Sequence, residues 1–286
     1  MDVGIGLPAT IPGVPGGQLL EWARRAEARG FSSLGTIDRL VYGNYEPLIA
    51  LAAAAAVTER IRLATTIMIA PFRANGALIA KQAATVHHLS GGRLVLGAAV
   101  GGREDDYTAS GVDFHTRGRR FDAMLDEWRR IWAGEDFGTA GGIGPVPPGG
   151  GPPVLIGGRA DVAFERAARH AGWAMGGGTP EQFTAGAAKL RDAWQAAGRE
   201  GEPRTLALAY FALGEDAKAA ADRYLLDYYG FLGDAAAMVA GSAATDAATV
   251  AGYVEAFRQA GLDELVLFPC DPDPGQVDLL ADAVLS

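Results

Sequence analysis

Short apolar runs alternate with longer amphipathic segments along nearly the whole chain of 286 residues. Runs that are apolar on both faces are typical of parallel strands, and apolar residues three or four positions apart are typical of helices. The predicted strands span residues 3–7, 31–36, 61–70, 93–100, 154–156, 173–175, 204–213 and 265–268. The predicted helices span residues 19–29, 47–57, 77–89, 117–132, 160–170, 180–197, 216–229, 246–260 and 276–284.

This alternation predicts a closed (β/α)8 TIM barrel, an α/β fold in which eight parallel strands are each followed by a helix. The alternative is a doubly wound open sheet, which needs fewer strands and usually a glycine-rich turn after the first one. The first strand is followed by Pro8, Ala9 and Thr10 instead, so the barrel is favoured. We predict a single domain over residues 1–286, with a Gly/Pro-rich insertion at residues 133–153 that suits neither a packed helix nor a central strand.

Composition excludes several partners. With 49% hydrophobic residues the chain can bury a large core, and its net charge of -9 without any basic run argues against a nucleic-acid partner. The single cysteine, Cys270, excludes an internal disulfide and fits a reducing compartment. The start of the chain lacks the features of a signal peptide, and no apolar stretch is long enough for a membrane span. We therefore expect a cytoplasmic protein without a membrane partner.

Glycine is concentrated where the predicted strands end, which is the end of a barrel that carries the active site. Bare backbone amides at a helix start bind anions, and glycine lets a phosphate approach closely. Two such stretches in neighbouring units predict one phosphate pocket; the other interpretation is that they only form tight turns. The residues of this predicted pocket are Gly157, Gly158, Arg159, Gly176, Gly177 and Gly178.

Four polar side chains in these loops are candidates for chemistry. Asp38 and Arg39 end the second strand, where they could hold a polar ring or a substrate anion, or form a salt bridge at the rim. Tyr107 lies in the charged run 103–107, which is either functional or a solvated loop, and His115 follows it. We interpret Asp38, Arg39, Tyr107 and His115 as the candidate catalytic residues, with no general acid assigned among them.

Metal and covalent catalysis find little support. His87 and His88 are adjacent on a predicted helix and therefore point in different directions, so we predict no metal site. The sequence also lacks a nucleophile elbow and a Walker motif. An enzyme with these properties commonly relies on an organic cofactor.

Three segments of the sequence carry a resemblance to a known family. They are "LATTIMIAPFRANGALIAKQAATVHHLSGGRLVLGAAVGG", "EDDYTASGVDFHTRGRRFDAMLDEWRRIW" and "PPVLIGGRADVAFERAARHAGWAMGG". These segments resemble the bacterial luciferase-like superfamily of flavin-dependent oxidoreductases. The likeness covers residues 1–182, and the remainder agrees only in its pattern of elements. The resemblance implies a TIM barrel with an insertion, a homodimer, and FMN or the deazaflavin coenzyme F420 as cofactor.

The resemblance also implies which residues surround the cofactor. A bulge at the end of the third strand, with a cis peptide at Thr66–Ile67, would back the ring, and the glycine pairs would hold the phosphate. The cofactor-binding residues implied near the ring and its side chain are Thr65, Thr66, Ile67, Val100, Gly101 and Gly102.

The chain departs from the superfamily at three positions. Many F420-dependent members have Asp-His where Asp38 and Arg39 stand, and some have Glu in place of Gly102. Luciferase-type members have a phosphate-binding Arg where this chain has Val100, and Arg103 or Arg159 could take its place. Catalytic assignments from one subgroup therefore do not transfer.

The function expected from the resemblance is that of a monooxygenase acting on a small organic substrate with reduced FMN and O2. A separate flavin or F420 reductase would supply the reduced cofactor. One alternative is an F420-dependent reductase or dehydrogenase that transfers a hydride. A second is a member that binds a flavin without turnover. A third is a barrel hydrolase or lyase without a redox cofactor, for which only Asp38 and Asp271 stand at strand ends.

Overall fold

The computed structural model describes residues 1–285 and shows eight parallel strands in a closed barrel, in the order of the sequence. The last strand pairs with the first, so no strand edge is left open. The predicted (β/α)8 barrel is therefore confirmed, and the open sheet is excluded. The strands are β1 (Asp2–Gly6), β2 (Ser33–Thr36), β3 (Arg62–Ile69), β4 (Leu94–Ala99), β5 (Val154–Gly157), β6 (Gly172–Met175), β7 (Arg204–Phe211) and β8 (Glu264–Pro269).

All nine predicted helices are present, with ends that agree to within three residues, and two short helices were not predicted. No helix within residues 1–285 combines the length and the apolar character that crossing a bilayer requires. The helices are α1 (Gly16–Arg29), α2 (Pro47–Ala55), α3 (Gly76–Leu89), α4 (Glu104–Ala109), α5 (Arg117–Trp132), α6 (Asp161–Ala167), α7 (Pro180–Ala196), α8 (Ala217–Tyr228), α9 (Ala235–Gly241), α10 (Ala247–Gln259) and α11 (Gly275–Val284).

The charged run after β4 forms helix α4 rather than a solvated loop. Its three acidic residues occupy the first turn, where they interact favourably with the helix dipole. Asp106 is 2% exposed, and its carboxylate accepts hydrogen bonds from the Leu40 amide at 3.0 Å and the Val41 amide at 2.7 Å. Helix α4 therefore fastens the loop after β2 to the loop after β4.

The barrel interior is filled unevenly. A Cβ added at Gly6 would lie 2.2 Å from the Phe268 ring, so a side chain of β8 occupies the space that β1 leaves empty. Tyr210 on β7 packs near Phe268, with ring centroids 6.3 Å apart. The alternation of a strand places small residues at the equivalent inward positions of β4, β5 and β6. These positions are Gly97, Ala99, Gly157, Ala174 and Gly176.

Helix α8 lies across the carboxyl ends of the strands. The Tyr224 hydroxyl is 2.6 Å from the Thr10 hydroxyl in the loop after β1. The Tyr229 hydroxyl, just beyond α8, is 2.8 Å from that of Tyr210 on β7. The helix buries its apolar face in the same cluster as the residues that fill the barrel. It therefore forms a roof over part of the mouth.

The Gly/Pro-rich segment 133–153 lies at the other end of the barrel. It joins the end of α5 to the start of β5, and Lys81 on α3 donates a hydrogen bond to its Gly144 carbonyl at 2.9 Å. A Cβ at Gly151 would lie 2.6 Å from the Trp132 ring, so the segment packs tightly on α5. The segment does not border the mouth, and the single-domain organisation stays a prediction.

Candidate functional site

The carboxyl end of β3 carries the bulge and the cis peptide expected from the sequence. The Thr66–Ile67 bond is cis, and the register with β4 shifts between Thr65 and Met68. The Thr65 hydroxyl donates to the Gly97 carbonyl at 2.7 Å, which ties the bulge to β4. Ile67 is half-buried, unlike the fully buried Thr66, so it is the side chain of this bulge that faces the mouth.

Packing alone accounts for the two glycines at the end of β5. A Cβ at Gly157 would lie 2.5 Å from the Ile67 Cδ1 atom and 2.9 Å from the Ala99 Cβ atom. Gly158 has a φ of +131°, and a Cβ there would lie 2.9 Å from that of Ala163. These two positions exclude larger residues whether or not a ligand binds, so the tight-turn interpretation suffices for them.

The glycines after β6 are different, because they border open space. A Cβ at Gly176 would meet no described atom within 4 Å, and at Gly177 it would meet only one side-chain atom, at 3.9 Å. The Arg159 guanidinium donates a hydrogen bond to the Gly177 carbonyl, and Gly178 lies against that same guanidinium. Thr179 then caps the start of α7. Because β5 and β6 pair, this bare backbone and Arg159 lie together and fit a phosphate.

The loop after β4 combines one constrained glycine with one free glycine. Gly101 has a φ of +68°, and a Cβ there would lie 2.7 Å from the Ile69 side chain. Gly102 is exposed, and a Cβ there would meet no atom of residues 1–285 within 4 Å. The Val100 carbonyl accepts a hydrogen bond from the Tyr107 hydroxyl. The loop therefore leaves room at Gly102.

Asp38 is a buried brace rather than a free acid. Its carboxylate accepts hydrogen bonds from the Ile69 amide at 2.8 Å and from the Arg73 guanidinium at 2.7 Å. Burial raises the pKa of the Asp38 carboxyl, and Arg73 and the Ile69 amide oppose that rise. Arg73 also pairs with Glu46 at 3.0 Å. The end of β2 is thereby bound to the residues that follow the β3 bulge.

Arg39 is held in an aromatic setting at the rim. Its guanidinium donates to the Tyr228 carbonyl at 3.1 Å and pairs with Asp105 at 3.2 Å. The same group lies 5.0 Å from the Tyr42 ring centroid and 5.5 Å from that of Phe231. Its side chain is only 7% exposed, so the position is fixed. Arg39 therefore forms a salt bridge at the rim, as considered from the sequence. Its partner is Asp105 on α4, and Arg39 also contacts the end of α8 through the Tyr228 carbonyl.

Tyr107 and His115 are not brought together with Asp38. Tyr107 is 1% exposed, and burial raises the pKa of its hydroxyl to about 12. Because that hydroxyl donates to a backbone carbonyl, it is not oriented toward a substrate. His115 is exposed, and its ring packs against Phe114 with centroids 5.8 Å apart.

A profile of the family described as luciferase-like monooxygenase matches residues 1–273, which is most of the chain. The chain belongs to the luciferase-like monooxygenase family. The family assignment made from the three quoted segments is therefore confirmed, and the match extends beyond the part that the sequence resemblance covered.

One relative and two solved structures illustrate the range of similar proteins. An uncharacterized protein of Mycobacterium tuberculosis is 32% identical over 206 residues, which is 62% of this chain and 71% of that protein. An F420-dependent secondary alcohol dehydrogenase in complex with an F420-acetone adduct has a TM-score of 0.80 and 18% identity, over 99% of this chain and 98% of that one. The oxygenating constituent of 3,6-diketocamphane monooxygenase from Pseudomonas putida, in complex with FMN, has a TM-score of 0.72 and 17% identity, over 99% and 98%. At these identities the two structures show the fold alone.

Sequence reasoning missed two residues that shape this luciferase-like mouth. Arg73 was signalled only by being a charged residue directly after an apolar strand. Tyr228 follows β7, in the part of the chain where the family likeness was weakest, and nothing in its local sequence indicated a role at the rim. The role of each residue follows from a contact with a residue far away in the chain. Arg73 contacts Asp38, and Tyr228 contacts Arg39.

Two cavities lie away from the mouth. One of about 460 Å³ is at the amino-terminal end of the barrel, beside Asp2, Arg204 and Asp263. Two of its carboxylates are already engaged, since Asp2 pairs with Arg62 and Asp263 accepts from the Thr205 hydroxyl at 2.8 Å. The other, of about 410 Å³, lies on the outside between α3 and α5. Neither adjoins the carboxyl ends of the strands, where barrel enzymes carry their chemistry.

Proposed function

We propose that the protein is a cytoplasmic oxidoreductase that binds FMN or coenzyme F420 at this mouth, with monooxygenation of a small organic substrate by reduced FMN and O2 as its reaction. The observation that carries the proposal is the open backbone at Gly176 and Gly177, next to the small inward residues of β5 and the half-buried Ile67 of the bulge. Family membership and the cofactors named for the two similar structures support it.

The residues present fit such a cofactor. Gly176, Gly177 and Arg159 would hold its phosphate, and Ile67 would lie against its ring. When bound, FMN supplies reduced-flavin chemistry with dioxygen, and F420 supplies hydride transfer.

The chain's own contribution is positioning and the exclusion of water. Helix α8 covers the β7 and β8 side of the mouth with aromatic side chains. The hydrogen bonds between Asp38 and Arg73 hold the bulge in place. Neither the Asp38 carboxylate nor the Tyr107 hydroxyl is free to pass a proton to a substrate. This arrangement favours a reaction whose reactive group belongs to the cofactor.

Binding titrations test the proposal. We expect FMN to bind more tightly than riboflavin, which lacks the phosphate, and Gly176→Val to weaken FMN binding by about tenfold or more, because the side chain would stand between the phosphate and the backbone amides. Gly252→Val is the matched control, since a Cβ at Gly252 on α10 also meets no described atom within 4 Å. Equal FMN affinities for the two variants would contradict the phosphate site.

The same titrations distinguish the remaining candidates. F420-dependent hydride transfer is the second candidate, supported by the likeness to an F420-dependent alcohol dehydrogenase. Tight F420 binding with weak FMN binding would replace monooxygenation by this reaction. Binding of FMN without any oxidised product from a substrate panel would favour a non-catalytic member. A separate flavin or F420 reductase as electron source and a homodimeric state stay predictions.

A further inference from the structure

We propose that Arg39 and Arg103 form an anion-binding pair at the barrel mouth, which selects substrates that carry a carboxylate. The pair stands apart from Arg159 and the glycines after β6, and the inference rests on the proposed function only in taking this mouth as the place where substrate binds.

Arg103 is a cation without an acidic partner. It is half-buried in the loop between β4 and α4, and no carboxylate of residues 1–285 lies within 4.0 Å of its guanidinium nitrogens. Its guanidinium carbon lies 4.4 Å from the Phe231 ring centroid and 4.9 Å from that of Tyr228. A guanidinium that packs over a ring keeps its N–H donors in its own plane. Apart from its contact with the Tyr228 hydroxyl, the Arg103 guanidinium therefore remains available to a ligand.

Arg39 approaches the same two rings from the β2 side. Its guanidinium carbon is 5.6 Å from the Tyr228 centroid and 5.5 Å from that of Phe231. Its only acidic partner is Asp105, whose side chain is 45% exposed, and its buried Nε has no hydrogen-bond partner within the described chain. Two guanidiniums thus pack on the same two rings, and only one of them, that of Arg39, has a carboxylate partner.

Three other acidic groups nearby are already engaged. Asp106 accepts from two backbone amides, and Asp227 accepts from the Tyr42 hydroxyl. Asp38 is bound by Arg73. A planar anion such as a carboxylate matches the forked donors of arginine, so it is the group expected to complete this site.

The position of the pair points to the substrate rather than to the cofactor. Arg159 extends toward β6, where its guanidinium contacts the Gly177 carbonyl. Arg103 extends in the other direction, toward the end of α8. Phe231 is 48% exposed in a short turn between Gly230 and Gly233, so one wall of the pair remains accessible. An acidic substrate would thereby have its charge fixed at the β2–α8 side while its reacting end lies over the small residues of β4 and β5.

Calorimetric titration of the cofactor-loaded and the cofactor-free protein tests this pair. The probes are octanoate, benzoate and phenylacetate, each with its uncharged amide. We expect at least one acid to bind about tenfold or more tightly than its amide, and Arg103→Gln to abolish this preference, because a charged hydrogen bond is lost. Arg103→Lys should restore it only in part, since lysine lacks the planar fork. Arg119→Gln, an exposed arginine on α5, is the control for net charge.

Absence of any acid preference, or a preference that survives in Arg103→Gln, would overturn the pair. If Arg103→Gln weakens FMN but not riboflavin, the pair holds the cofactor phosphate, and the substrate assignment is wrong. Failure of both FMN and F420 to bind would count against the proposed function instead, and the acid preference of the cofactor-free protein would still decide the present inference.

Discussion

At the scale of single residues, the brace between Asp38 and Arg73 decides the shape of the mouth. Asp38→Asn removes the charge that balances Arg73 in a nearly buried setting, where the Asp38 side chain is 1% and that of Arg73 16% exposed. We expect the free energy of unfolding to fall by about 3 kcal/mol, because breaking one side of a buried pair leaves the other uncompensated. Urea unfolding at neutral pH measures this loss, and FMN affinity should fall with it.

Glu46→Gln is the matched control for that variant. Glu46 is the second carboxylate on Arg73, but its side chain is 40% exposed, so solvent screens the pair. Its loss should cost about 1 kcal/mol, because the pair is screened and the Glu46 carboxylate also caps α2 by accepting from the Ile49 amide. If Asp38→Asn were no more destabilising than Glu46→Gln, the carboxylate of Asp38 would not be a brace.

Residue identity alone could not reveal this brace. The sequence placed Asp38 at the end of a strand, which was correct, but a carboxylate there suits catalysis and structure equally. The glycines show the same limit. Gly157 and Gly176 are equivalent in sequence, yet only the second borders open space, because Ile67 from another strand fills the first.

At the scale of elements, the roof formed by α8 depends on a few polar contacts within an apolar face. Tyr224→Phe removes a buried hydroxyl and leaves the Thr10 hydroxyl without that partner. An unsatisfied buried hydroxyl costs about 1–3 kcal/mol. We expect faster amide hydrogen exchange across residues 217–228, while the strands of the barrel remain protected.

Tyr253→Phe on α10 provides the comparison, because its hydroxyl makes an exposed hydrogen bond to the Ser242 carbonyl at 3.0 Å. Exchange in α8 should not change in that variant. Equal protection of α8 in both variants would mean that the tyrosine hydroxyl does not hold the roof.

The helices and strands were predictable wherever the apolar residues of a segment follow a single spacing, either that of a strand or that of a helix. Helix α4 was ambiguous because half of its six residues are charged, and its burial depends on a distant loop. Helix α9 is short and carries an exposed Met238, so it lacks a clear apolar stripe. That α8 crosses the mouth was not predictable, since the Thr10–Tyr224 contact joins residues 214 positions apart.

At the scale of the whole molecule, the two ends of the barrel divide function from stability. The carboxyl end carries the loops and the open backbone described above. The amino end is closed by Glu264, which accepts from the Ser32 hydroxyl at 2.6 Å and from Arg204 at 2.5 Å. Arg62 lies at 3.2 Å from the same carboxylate. This network connects β3, β7, β8 and the residue before β2, so it links strands from both halves of the chain.

The protonation of Glu264 should therefore govern how the fold responds to acid. Burial alone would raise the pKa of this carboxyl, but the hydrogen bond from Ser32 and the charge of Arg62 hold it below its ordinary value of 4.5. A depressed pKa gives stability that is fully present above the unfolded-state pKa and is lost as the pH falls through the folded-state pKa. Glu264→Gln should lower the free energy of unfolding by about 3 kcal/mol at neutral pH. It should also flatten the decline below pH 4.5, since the titrating group is gone.

Urea unfolding between neutral pH and pH 3 measures both effects, and Glu165→Gln on the exposed face of α6 is the control. The control should keep the acid decline of the parent protein, because Glu165 lies outside the network at the amino end of the barrel. An unchanged decline in Glu264→Gln would assign acid sensitivity to carboxylates elsewhere. If the decline flattens while FMN binding by the variant at neutral pH stays intact, the closed end stabilises the barrel without taking part in the chemistry of the mouth.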